Sequence, residues 1–190
     1  MRDTELYRYL LGIEGPWTVE RVTLDMENQR VDVLVTHPEG IRWPCPECGA
    51  MTSLYDYAPE RAWRHLDSCQ FKTFLHARPP RINCREHGVR QVRLSWAEAS
   101  SRFTLLFERL AIDVLQECDI LGATRILRIS WDEAWHLMER AVKRGLLARG
   151  QRACPRIGVD EKSVGKGHKY LTLVCDLDTG TVEYLADDRQ

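Results

Sequence analysis

A chain of 190 residues with 44% hydrophobic residues, 29% charged residues and a formal net charge of −1 has the make-up of an ordinary globular protein, neither disordered nor fibrous. No apolar run approaches the roughly 18 residues of a membrane span, and Asp3 and Glu5 stand where a secretory leader would be basic, so membrane and secreted classes are excluded and a cytoplasmic location is expected. In that compartment the seven cysteines stay reduced, and closely spaced ones point to metal before disulfide.

Charge is unevenly distributed. Residues 1–60 carry 5 Lys/Arg against 11 Asp/Glu, whereas residues 61–109 carry 10 against 4. An internal basic block of this kind can offer phosphate-binding surface in a protein that is neutral overall.

In chain order, a short helix is predicted over Thr4–Leu11, ended by Gly12 and the Gly15–Pro16 break. A hairpin follows. Val22, Leu24 and Met26 alternate with polar residues, Glu27–Arg30 turns, and Val31, Val33 and Val35 alternate on the return. Further strands are predicted at Ala62–Leu66, Phe71–Ala77, Arg81–Asn83 and Val89–Leu94. Beyond Trp96 the period changes. Phe103, Leu106, Phe107, Leu110 and Val114 recur at helical spacing, which predicts a helix from Ser101 to about Glu117. A shorter helix fits Ile120–Leu127. A third is announced by the Ser130–Glu133 capping box, carries Ala134, Trp135, Met138, Ala141 and Val142 on one face, and is expected to stop at Gly145. From Gly150 the period returns to two, with strands at Arg156–Glu161, Lys169–Asp176 and Thr181–Leu185, the last two closed by an Asp178-Thr179-Gly180 turn. Gly165-Lys166-Gly167 lacks the spacing of a phosphate loop and reads as a turn.

Cys45-Pro-Glu-Cys48-Gly49 and Cys84-Arg-Glu-His87-Gly88 are two pairs of metal-ligand residues, each separated by two residues and followed by a glycine. That spacing lets a tight turn aim both side chains at one ion, and the glycine accommodates the positive φ such a turn needs. Together they predict a tetrahedral Cys₃His zinc site. Four protein ligands leave no position for water, so the zinc is structural. Cys69, His65 and His76 lie between the pairs and stay open as rival ligands. Cys69 belongs to no such pair and is expected to be a small buried hydrophobe. Cys118 and Cys175 are expected to pack on apolar faces.

Arg61, Arg64, Arg78 and Arg81 fall between the two ligand pairs and are candidate phosphate contacts, with Trp63 assigned to the core beneath the zinc. The helices Ile120–Leu127 and Trp131–Arg144 have helix-turn-helix proportions, in which the second helix enters the major groove. His136, Arg140, Lys143 and Arg144 are the candidate DNA contacts on that helix, beside Asp132 and Glu139, with Arg149, Arg152 and Arg156 following for phosphates.

With these residues in view, the sequence resembles the zinc-ribbon transposases of bacterial insertion sequences, the ISL3 family. The motifs that carry the resemblance are the CPECG and CREHG turns, the run Trp63-Arg64-His65-Leu66-Asp67 with Cys69-Gln70, and Ile157-Gly158-Val159-Asp160-Glu161-Lys162. The resemblance implies an α+β chain in three parts: a zinc-ribbon module over 1–95, a helix-turn-helix over 96–150, and over 151–190 the truncated start of a ribonuclease H-like catalytic domain. It implies Cys45, Cys48, Cys84 and His87 as zinc ligands and double-stranded DNA, the element's terminal inverted repeats, as partner. It also implies Asp160 as the first acid of an Asp-Asp-Glu triad. On a strand behind Ile157 and Val159, that carboxylate could project onto Mg²⁺ from a rigid sheet. Glu161 points to the opposite face, and Asp176 and Asp178 belong to a hairpin end. One carboxylate cannot hold two metals, so Mg²⁺ is expected only in a complete catalytic domain and this chain is expected to bind DNA without cutting it. A stand-alone zinc and helix-turn-helix regulator, dimerising through its C-terminal strands, and a zinc scaffold for protein contacts are the alternatives; homodimerisation stays open.

Overall fold

The computed structural model describes residues 2–150, 153–165 and 169–187. It falls into two compact units, residues 1–142 and 143–190. Lys166, Gly167 and Arg152, singled out from the sequence, lie outside the described residues.

The first unit opens with α1 (Asp3–Leu10), followed by β1 (Thr18–Asp25) and β2 (Arg30–Thr36). After β3 (Arg42–Pro44) and β4 (Met51–Tyr57) come β5 (Arg61–Ser68) and β6 (Phe71–Ala77), then β7 (Pro80–Cys84) and β8 (Gly88–Gln91). Chain order and sheet order differ. β1, β2, β6 and β5 form one four-stranded sheet, with β2 and β6 parallel, while β3, β4, β7 and β8 form another. The β5–β6 hairpin is thus an insertion between the middle strands of the second sheet, and it completes the first. This accounts for the 36-position offset between Cys48 and Cys84.

Alternation dictates which faces are buried. Along β2, Val31, Val33 and Val35 are buried and their neighbours are not; along β6 the same holds for Thr73, Leu75 and Ala77. The register aligns Val22, Val33, Leu75 and Trp63 in one row across four strands. Trp63, Val33 and Leu75 have no solvent exposure, and Ile82 of the second sheet joins the same core, together with Trp17, Trp43 and Trp96. Each fully buried aliphatic side chain of this kind contributes about 1.5–3 kcal/mol. The second sheet therefore shares a substantial core rather than depending on a metal alone. β3 and β4 are not legible from the sequence: β3 has three residues, and β4 shows no clean alternation of burial.

The helices α2 (Leu105–Glu117), α3 (Ile120–Leu127) and α4 (Trp131–Ala148) follow. Phe103, Phe107, Ala111, Ala123, Leu127 and Leu137 form their core. Three expectations are corrected here. α2 begins at Leu105, not Ser101, because residues 102–104 run alongside β5: Arg64 N donates to Arg102 O at 2.8 Å and Thr104 N donates to Arg64 O at 3.0 Å. The hydroxyl of Thr104 accepts the Phe107 amide as the N-cap. α4 runs through Gly145 to Ala148, since a helical glycine costs about 1 kcal/mol without ending a helix that is otherwise supported. Its core face is Ala134 and Leu137, whereas Trp135 and Val142 are exposed and Trp135 stacks on Trp131. The capping box forms as expected, with Glu133 N donating to Ser130 Oγ at 3.2 Å and Ser130 N donating to the Glu133 carboxylate at 2.8 Å.

The second unit contains β9 (Ile157–Gly165), β10 (Lys169–Asp176) and β11 (Thr181–Asp187), an antiparallel sheet in the order β11-β10-β9. Among the described residues no helix is long and apolar enough to cross a membrane.

Candidate metal centre and nucleic-acid interface

The two ligand pairs occupy two hairpin turns. Cys45–Gly49 links β3 to β4, and Cys84–Gly88 links β7 to β8. Antiparallel pairing of β4 with β7, Leu54 opposite Ile82, brings the start of one strand beside the end of the other. Both turns therefore lie at the same end of the sheet. Gly49 and Gly88 adopt φ of 75° and 65°, the left-handed conformation that each turn requires. Gly49 N donates to Cys45 O at 2.9 Å, which tightens the first turn around its two sulfurs.

The ligand atoms of Cys45, Cys48, Cys84 and His87 all lie within 4.8 Å of one another. Cys48 Sγ is 3.7 Å from Cys84 Sγ, and His87 Nδ1 is 3.6 Å from Cys84 Sγ and 3.8 Å from Cys45 Sγ. A tetrahedron with Zn–S near 2.3 Å and Zn–N near 2.0 Å has edges of about 3.8 Å between sulfurs and about 3.5 Å between sulfur and nitrogen. The observed edges match, and they select Nδ1 as the coordinating nitrogen of His87. The His87 ring also lowers the Cys84 thiol to about 6 through the hydrogen bond between them, so one ligand is already inclined to the thiolate form that a metal takes. The rivals stand elsewhere. His65 is buried against Thr104, with Nδ1 2.9 Å from Oγ1. His76 Nε2 lies 2.5 Å from Asp32 Oδ1. Cys69 is exposed and sits at φ 56° in the β5–β6 turn, not in the interior as its composition suggests, because that tight turn puts it at the hairpin tip.

The basic residues sort by environment. Arg64 is 6% exposed, pairs with Asp67 and donates to the backbone oxygen of His65, so in this fold it holds the interior together. β5 is buried on both faces at this point, with Trp63, Arg64 and His65 all buried in succession. Arg81 pairs with Asp56 through two donors. Arg140 pairs with Glu108 at 2.5 Å, a carboxylate only 3% exposed that also accepts from Ser101 Oγ at 2.7 Å. Arg61 is half-buried, donates to Ser101 O at 2.9 Å and lies over the Trp63 ring. Arg78 is exposed and rests over Tyr57. His136 and Lys143 are exposed on α4 and Arg144 is half-buried. Arg90 and Arg93, which were not singled out from the sequence as DNA contacts, are exposed and line a groove of about 720 Å³ together with Arg61, Glu47 and Glu98. Their signal was present in the basic block but carried no spacing that marks a site.

α3 and α4 are joined at Arg128, which adopts φ 55° as the C-cap of α3. Its guanidinium returns to the β5–β6 hairpin, donating to Gln70 O at 2.9 Å and pairing with Asp67. Asp67 was visible within a motif, but no local pattern reveals a partner 61 residues away.

In the second unit, Asp160 is exposed on β9 opposite Leu173, and its Oδ1 accepts from Glu161 N at 2.9 Å. It belongs to neither group of three or more metal-ligand residues found among the described residues. The other group, Cys154, Asp176 and Glu183, has its acids engaged: Glu183 pairs with Arg149, and Asp176 accepts from Asp178 N.

Residues 41–87 match a family model described as the zinc-finger of transposase IS204/IS1001/IS1096/IS1165, and residues 92–142 match one described as the helix-turn-helix domain of transposase family ISL3. The chain is 30% identical over 198 residues to a transposase for insertion sequence element IS1557 of Mycobacterium tuberculosis, covering 98% of this chain and 43% of that protein. It is 25% identical over 177 residues to a transposase for insertion sequence element IS1001 of Bordetella parapertussis, covering 93% and 43%. The chain spans less than half the length of these curated relatives. No solved structure matches it.

Proposed function

This chain belongs to the ISL3 transposase family by its zinc-ribbon and helix-turn-helix domains, and we propose that it is the part of an insertion-sequence transposase that recognises the terminal inverted repeats. The observation that carries the reading is the Cys₃His tetrahedron at the end of a sheet that packs in one compact unit with a helix-turn-helix. Cys45, Cys48, Cys84 and His87 would hold Zn²⁺, which supplies no chemistry beyond fixing the two turns, since all four positions are taken by protein.

α4 is the recognition helix of this reading. His136 and Lys143 are exposed there to meet a duplex, and half-buried Arg144 follows directly. Arg61, Arg90 and Arg93 along the groove beside the first zinc turn, with Arg78, are the phosphate contacts of the ribbon. Arg64, Arg81 and Arg140 serve the fold through their acidic partners. Asp160 is the proposed first catalytic acid; a single carboxylate cannot hold two metals, so it would act only together with further carboxylates.

Measuring affinity for terminal-repeat duplex across salt concentrations tests the reading. Several neutralised phosphates give a steep negative slope of log K against log salt, at about 0.9 per phosphate. Arg90→Gln and Arg93→Gln each reduce that slope by about 1 without changing which sequence is preferred. A slope near zero, or equal affinity for every duplex, overturns it.

A further inference from the structure

We infer that Asp67 is a positioning residue: it locks the helix-turn-helix to the zinc ribbon, so that both engage one duplex at a single fixed spacing. The inference rests on the DNA-binding reading above and adds to it the geometry of the target.

The two modules are joined along β5, where Arg61 donates to Ser101 O and Leu66 packs on the helical core, and two further contacts reach different helices. At the first, the strand edge of β5 is continued by the segment that leads into α2. Arg64 pairs with Phe103 in a parallel bridge, and His65 Nδ1 meets the Thr104 hydroxyl that caps α2. At the second, Asp67 on the β5–β6 hairpin gives one carboxylate oxygen to Arg64 and the other to Arg128, the residue between α3 and α4. Arg128 then donates its other terminal nitrogen to Gln70 O.

The contacts at the start of α2 hold that helix, whereas the Asp67–Arg128 pair also ties down the end of α3, where the chain turns into α4. Asp67 is also obligatory in charge terms. Without the carboxylate, two guanidinium groups face each other and one of them is buried, a position in which an unpaired charge is strongly disfavoured. Arg128 holds a left-handed backbone conformation, which an L-residue adopts at a cost that glycine would not carry. The motif Trp63–Asp67 with Gln70, read as a family mark, is in this light the junction between two DNA-contacting modules.

A site selected from a random duplex pool by the zinc-loaded wild-type chain provides the probe. About 5 bp, half a helical turn, is then inserted at successive positions of that site. At the position between the two footprints the wild-type chain is expected to lose roughly tenfold or more in affinity, because the fixed junction cannot follow the rotation. Arg128→Gly leaves the Arg64–Asp67 pair in place, relaxes the backbone and cuts the link. It should bind the parent site several-fold more weakly, yet lose roughly threefold or less on insertion, with zinc content and helix content unchanged. Asp67→Asn should behave alike, with lower stability. A wild-type chain that tolerates the insertion at every position, or an Arg128→Gly chain that loses as much as wild type, overturns the inference while the DNA-binding reading stands. Recovery of no preferred site overturns both.

Discussion

His65 Nδ1 lies 2.9 Å from the hydroxyl of Thr104, so a strand side chain of the zinc-ribbon half touches the cap of the first helix of the other half. His65 is 4% exposed, and burial lowers its imidazole to about 4, opposed by a hydrogen bond with the Leu10 backbone and reinforced by the nearby Arg64. The neutral ring is therefore the one the fold accommodates. A group with a depressed folded value contributes stability that is complete above its unfolded value near 6.5 and is lost as pH falls toward 4. At about 1.4 kcal/mol per unit the full loss approaches roughly 3 kcal/mol. The Tm of the wild-type chain should fall between pH 6.5 and pH 4, and His65→Asn should flatten the part of that fall that the zinc ligands do not cause. An unchanged profile in the variant would assign the whole acid sensitivity to the metal site.

Metal removal should act locally. The reduced chain is expected to contain about one zinc, absent in Cys48→Ser and Cys84→Ser and retained in Cys69→Ser. Because Ile82, Leu75, Val33 and Trp63 share one core, chelation should release the amides of the two turns while those of β2 and β6 stay protected from hydrogen exchange. Uniform loss of protection across the first unit would show that zinc supports the entire core.

Arg140 pairs with Glu108, a carboxylate that is itself buried. Removing one partner of a buried pair costs about 3–5 kcal/mol, and the 30% exposure of the Arg140 side chain places Arg140→Ala at the lower end, near 3 kcal/mol. Urea unfolding should show a lower midpoint with an unchanged slope. Combining Arg140→Met with Glu108→Leu should recover most of the loss. A stability-neutral Arg140→Ala with weakened DNA binding would return this residue to the interface.

The Ser130–Glu133 capping box satisfies two amides at the start of α4. Ser130→Ala should cost about 1 kcal/mol, a few degrees in Tm. Ser130→Gly should cost less, since glycine tolerates the cap conformation.

Local signals were legible in the residues themselves. The zinc turns, with their glycines at positive φ, the period-two burial of Val31, Val33 and Val35, the bounds of Ile120–Leu127 and the capping box at Ser130 each involve groups within a few positions of one another. Steric limits on φ, hydrogen-bond reach and side-chain period act over that range, so a sequence displays them directly.

Tertiary structure alone decided what depends on separated partners. It chose His87 over His65 and His76 as the fourth member of the cluster, turned Cys69 outward, and moved the start of α2 to Leu105 by drawing residues 102–104 onto β5. It also gave Arg64 and Arg140, candidate DNA contacts by sequence, carboxylate partners within the fold. An arginine reads the same in sequence whether its counter-charge is a phosphate or a carboxylate brought close by the fold, and only the arrangement of Asp67 and Glu108 in space tells them apart.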